Sequence, residues 1–97
     1  MTQSLEIATF NLTADAQDFA VANAEVTAWL SRQPGFKSRL LARKDDGSHL
    51  DLIVWESPEA ATTAAAKMGK IMGLRAMSMM DPATVTMSHA TVLARAG

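Results

Sequence analysis

The chain has 97 residues, a formal net charge of −1, 48% hydrophobic residues and no cysteine. That is enough for one globular domain spanning 1–97 and too short for two. It excludes a disulfide framework and a thiolate metal site, and it argues against a nucleic-acid partner, which would need a basic face. The N-terminal stretch MTQSLEIATF has no basic segment followed by an apolar run, and no stretch approaches the roughly 20 apolar residues of a membrane span. The expectation is a soluble, cytoplasmic domain without a membrane partner.

Residues 4–12, SLEIATFNL, form the first strand pattern. Leu5 and Ile7 alternate with Glu6, and Ala8 and Phe10 take the other face. Thr13 reads as the cap of a helix, with Asp15 in its first turn, and Phe19, Ala22, Val26, Trp29 and Leu30 make one apolar helical face. Gln33-Pro34-Gly35 ends that helix.

Residues 36–44 and 49–56 form two further strands around Lys44-Asp45-Asp46-Gly47-Ser48, a strong hairpin signal. A three-residue turn with Gly47 in the left-handed region sets Leu40 opposite Leu52 and Ala42 opposite Leu50. Arg39, Leu41 and Arg43 then share the other face with His49, Asp51, Ile53 and Trp55. Ser57-Pro58-Glu59 starts a second, alanine-rich helix with a serine cap and a proline in its first turn. Its small residues let the helix lie close to a sheet or leave room between them. Gly69 and Gly73 interrupt it, residues 74–80 add a further helical turn or two, and residues 83–94 alternate as a fourth strand.

The order β-α-β-β-α-β makes the fold class α+β: a ferredoxin-like βαββαβ arrangement with an antiparallel four-stranded sheet and both helices on one face. The strands are apolar on both sides, however. A bare apolar face on a small domain calls for a cover, and sheet-to-sheet packing of a homodimer supplies one. At about 25 cal/mol per Å², a few hundred Å² of such surface is a strong drive to pair.

The motifs WLSRQPGFKSRLLARKDDG, DLIVWESPEAA and MMDPATVTMSHATV resemble the antibiotic biosynthesis monooxygenase family, and more closely a branch of small proteins within its superfamily. The resemblance covers nearly the whole chain and implies the dimeric α+β barrel fold. Relatives of this kind include cofactor-free oxygenases, haem-degrading enzymes and proteins with no known activity, and fold alone does not choose among them. Trp55 matches a tryptophan that lines the cavity in both enzyme types, and Asn11 matches a cavity asparagine near the end of the first strand. The haem-degrading relatives carry an iron-ligating histidine on the second helix, and this chain has no histidine between Ser57 and Pro82. The phenol-handling oxygenases use a tyrosine, and this chain has none.

Each candidate residue has two readings. Trp55 is a pocket wall or a core aromatic whose N–H finds one partner. His89 is a general base or an inert strand histidine. Arg39 binds a carboxylate or phenolate, or is held in an ion pair by Asp51. His49 and Asp51 share a face but lack a third ligand, so no metal is expected. The methionines line an adaptable cavity or fill core gaps. Glu6, Glu25, Glu56 and Glu59 read as surface or cap residues. The leading expectation is a cofactor-independent monooxygenase, or a related small-molecule enzyme, acting on a hydrophobic or aromatic substrate beside Trp55. Its site would use Asn11, Arg39 and His89 and no bound cofactor. The alternative is a non-catalytic dimeric module that binds a ligand or another subunit, and haem degradation ranks last.

Overall fold

The computed structural model describes residues 2–96. Four strands, β1 (Ser4–Phe10), β2 (Phe36–Arg43), β3 (His49–Trp55) and β4 (Thr86–Thr91), form one antiparallel sheet in the order β2-β3-β1-β4. The helices are α1 (Ala16–Ser31), α2 (Pro58–Ala65) and a single turn, α3 (Arg75–Ser78), with short 3₁₀ turns at Met68–Lys70 and Pro82–Thr84. The two central strands, β1 and β3, are neighbours, and β2 and β4 form the edges. This is the expected ferredoxin-like order in an open sheet.

The hairpin closes as its residues dictate. Lys44 and Ser48 form the closing pair around a three-residue loop, with Lys44 N donating to Ser48 O at 2.7 Å. Gly47 takes φ +90°, the left-handed conformation that favours glycine. The Asp46 carboxylate accepts hydrogen bonds from the Ser48 hydroxyl at 2.6 Å and the Ser48 N–H at 2.9 Å, and these bonds hold its pKa below the ordinary value. The resulting register sets Leu40 opposite Leu52 and Ala42 opposite Leu50, as the turn requires.

The elements are shorter than the sequence reading drew them, β1 ending at Phe10 rather than at residue 12, and two of the differences have a specific cause. Asp15, not Thr13, caps α1, its carboxylate accepting from Gln17 N at 2.8 Å and Asp18 N at 3.2 Å. Thr13 is engaged elsewhere: its N–H and hydroxyl both donate to the Met79 carbonyl, at 2.8 and 3.2 Å. The fourth strand covers Thr86–Thr91 rather than 83–94, because Pro82–Thr84 forms a 3₁₀ turn capped by Asp81. Ser57 does cap α2, accepting from Ala60 N at 3.1 Å.

One sheet face carries Ala8, Phe10, Ile53 and Trp55, which pack with Phe19, Ala22, Val26 and Leu30 of α1 in the core. The other face carries Leu5 and Ile7 of β1, Leu50, Leu52 and Val54 of β3, and Leu40, which is 61% exposed. The buried residues of the helices cluster with the first face, while beyond β4 the Arg95 guanidinium reaches Ser38 of β2, Nη2 donating to its hydroxyl at 3.1 Å. No helix among the described residues is long and apolar enough to cross a membrane.

Candidate functional site

Between the covered sheet face and the helices lies a cavity of about 440 Å³. That is within the roughly 300–1,000 Å³ of small-molecule sites. Phe10, Phe19, Val26, Leu30 and Ile53 form its inner walls, and the segment after α2 forms its roof. The roof contains Gly69 and Gly73, and its backbone runs through short turns rather than a continuous helix. It contributes Met68, Ile71, Met72, Met77 and Met80 to the lining, and Met87 adds a further thioether from β4. Met72 and Met87 are each more than half exposed, so the mouth lies beside them, along the β4 edge.

Four polar side chains from the sheet and α1 reach this otherwise apolar wall: Glu6, Asn23, Arg39 and Asp51. Three of them are locked together. Arg39 Nε donates to Asp51 Oδ1 at 3.0 Å, and Nη2 donates to Asp51 Oδ2 and to Asn23 Oδ1, both at 2.8 Å. Nη1 donates to Thr27 Oγ1 at 3.0 Å, and Asn23 Nδ2 donates to the Phe19 carbonyl at 2.8 Å. The ion pair is well sequestered, with side-chain exposures of 7% for Arg39 and 16% for Asp51. A guanidinium offers five N–H donors, so this network leaves Arg39 at most one for anything else in the cavity.

Glu6 is placed differently. It stands on the central strand β1, opposite Ile53 on one side and His89 on the other. Its side chain is 12% exposed, and Oε1 lies 3.9 Å from His89 Nε2. Burial raises its pKa above the ordinary value, against the opposing influence of His89 and, less strongly, of the Trp55 indole N–H and Arg39; the Asp51 charge adds to the rise. The Trp55 N–H falls short of hydrogen-bond geometry and is buried without a partner.

The structure separates the residues singled out from sequence. Arg39 lines the cavity. Trp55 is only 1% exposed and packs edge-to-face on Phe36 with ring centroids 6.0 Å apart, behind the lining rather than in it. Asn11 is exposed beyond the end of β1 and away from the cavity, with its N–H donating to Thr84 Oγ1 at 2.8 Å and its carbonyl accepting from Asp81 N at 2.9 Å. His89, its side chain 53% exposed, borders the cavity only through Glu6. His49 is buried and stacks on Phe10 at 6.0 Å, and no group of three potential metal ligands occurs among the described residues.

Glu6 is the site residue that the sequence reading passed over, and it is a wall group rather than a surface or cap residue. Its signal was present: strand alternation puts it on the same face as Ala8 and Phe10, where an unpaired carboxylate is costly.

No family model matches the chain, and no curated protein matches it in sequence. Solved structures do match. SnoaB, a cofactor-independent oxygenase from Streptomyces nogalater, superposes with a TM-score of 0.70 at 25% identity, covering 100% of this chain and 97% of SnoaB. A candidate antibiotic biosynthesis monooxygenase from Bordetella bronchiseptica gives a TM-score of 0.79 at 15% identity over 97% of this chain and 100% of the other. The haem-degrader MhuD from Mycobacterium tuberculosis, with two haems bound in its active site, gives 0.77 at 21% identity over 97% and 99%. The strand order and these end-to-end superpositions show that the chain shares the ferredoxin-like fold of antibiotic biosynthesis monooxygenase-type, dimeric α+β barrel proteins.

Proposed function

We propose that the chain is a cofactor-independent monooxygenase, or a closely related small-molecule enzyme, that takes a hydrophobic, aromatic substrate into the methionine-lined cavity. The observation that carries this reading is the cavity itself: an apolar volume of about 440 Å³ with a largely buried carboxylate on its wall. Flexible thioethers adapt to flat aromatic ligands, and an apolar wall keeps water from a reactive anion. Likeness to SnoaB supports the oxygenase assignment. Arg39 has one N–H to offer a substrate oxygen, Trp55 backs the wall, and His89 acts from the rim. Asn11, outside the cavity, takes no part.

The protein is proposed to work as a homodimer packed through the open sheet face of Leu5, Ile7, Leu40, Leu50, Leu52 and Val54. That face is too apolar to stand in water.

The test is oxygen uptake with anthrone and with substituted hydroquinones, in the wild type and in Ala76→Leu. Ala76 is 1% exposed and lines the cavity, so leucine there fills part of it. Uptake above buffer that falls in the filled variant supports the reading. Saturable anthrone binding without uptake supports the non-catalytic module instead, a reading favoured by the near-complete commitment of Arg39 to its own partners. Haem is the third reading, favoured by likeness to MhuD. The lining residues include thioethers and carboxylates but no imidazole, so the histidine ligation implied by the family resemblance does not fit. A Soret shift on haem titration would revive it.

A further inference from the structure

Of the ionisable groups that line the cavity, Arg39 and Asp51 neutralise each other through two hydrogen bonds, and only Glu6 is left without a bonded partner. His89 stands on the next strand, directly opposite Glu6, with its imidazole half in solvent. A buried carboxylate thus faces the cavity on one side and an exposed imidazole on the other. We propose that Glu6 is the general base of this cavity, taking a proton from a weakly acidic C–H or phenolic O–H of the bound aromatic substrate, and that His89 is the positioning residue that passes this proton to solvent.

In the first step the substrate C–H bond breaks, its electron pair stays on carbon, and the proton goes to a Glu6 oxygen. In the second, that proton moves to His89 Nε2, 3.9 Å from Oε1, a gap closed by a small side-chain turn or one water. His89 releases the proton to water, and the carboxylate is restored. No oxidant enters these two steps. The charged and polar groups around Glu6 are His89 on β4, Asp51 on β3, Arg39 on β2 and the Trp55 N–H, while the lining contributed by the helices and roof is uncharged. Burial keeps the carboxylate's proton affinity high, which suits a base.

The inference rests on the small-molecule reading above, but proton abstraction can be read without oxygenation. The probe is anthrone in D₂O under argon, with loss of its methylene protons followed by NMR. Wild type should exchange them above the buffer rate. Glu6→Gln, which keeps the shape of the side chain, should lower that enzymatic exchange by about 100-fold or more. His89→Asn should exchange more slowly and recover when imidazole is added, which a purely structural role for His89 would not produce. Glu6→Asp, with a carboxylate set back from the cavity, should retain part of the rate if Glu6→Gln folds poorly.

Exchange that is absent in wild type, or unchanged in Glu6→Gln, overturns the proposal. Oxygen uptake that persists in Glu6→Gln overturns it while leaving the oxygenase reading intact. Exchange that depends on Glu6 without any oxygen uptake keeps it and removes the oxygenase.

Discussion

The Arg39 guanidinium meets the Asp51 carboxylate side-on, Nε to Oδ1 at 3.0 Å and Nη2 to Oδ2 at 2.8 Å, on the helix-covered face of the sheet. The two residues lie on adjacent strands one register step apart, since Arg39 is opposite Ile53 and Leu41 is opposite Asp51. Asn23 and Thr27 of α1 take the remaining bonded N–H groups, so the pair ties β2, β3 and α1 together. Removing one partner strands the other charge in a poorly solvated place. Arg39→Ala is expected to cost about 3 kcal/mol in urea unfolding, and Arg39→Met with Asp51→Leu much less. If the double variant is as unstable as the single one, the network contributes more than charge balance.

The pH dependence of stability should carry the mark of Glu6. A carboxyl whose folded pKa stands above its ordinary value of 4.5 binds its proton more tightly in the fold. Its stabilising effect is full below 4.5, declines as pH rises through the raised folded value, and then levels off. Glu6→Gln should lack that decline and melt higher than wild type at neutral pH. Thermal melts of both proteins across the acid-to-neutral range provide the comparison, and parallel curves would refute it.

Gly35 takes φ +84°, and a Cβ built there would lie 2.5 Å from the Ala60 Cβ. This close approach brings the entry of β2 against α2, with Glu56 N donating to Gly35 O at 2.7 Å. Gly35→Ala must pay both the left-handed backbone cost and the clash, together about 2–3 kcal/mol. Gly35→Ala combined with Ala60→Gly relieves the clash alone and should recover part of the loss in denaturant titrations.

Asp15→Ala should cost about 1 kcal/mol by removing the cap of α1. Thr13→Val loses only one hydroxyl bond, to the Met79 carbonyl, whose bond from the Thr13 N–H survives, and so should cost less. The reverse order of melting temperatures would contradict the cap assignment.

Leu40→Lys puts a charge on the β2 edge of the open sheet face, where Leu40 is 61% exposed in the single chain. With about 1.5 kcal/mol lost at each of two copies, the dimer dissociation constant should rise on the order of 100-fold. Sedimentation at micromolar concentration reads this directly. A wild-type protein that sediments as a monomer at that concentration would remove the proposed interface.

The hairpin was legible because its causes are local. Asp46 and Gly47 set the turn, the turn sets Leu40 against Leu52, and alternation then assigns every residue of β2 and β3 to a face. The same alternation put Ala8 and Phe10 on one side of β1 and Leu5 and Ile7 on the other. The Arg39–Asp51 pair followed from that register.

What local pattern could not supply was the content of the space above the sheet. Thr13 looks like a cap until Met79, far along the chain, claims its hydroxyl. Asn11 looks like a cavity residue until Asp81 and Thr84 hold its backbone at the outer end of β1. Glu6 looks like an ordinary polar residue on an alternating strand until the methionine-bearing roof and β4 close around it. A strand period determines which face a side chain takes. Whether that face meets water, protein or an empty volume depends on segments brought together by folding, and that difference sets the proton affinity of a carboxylate.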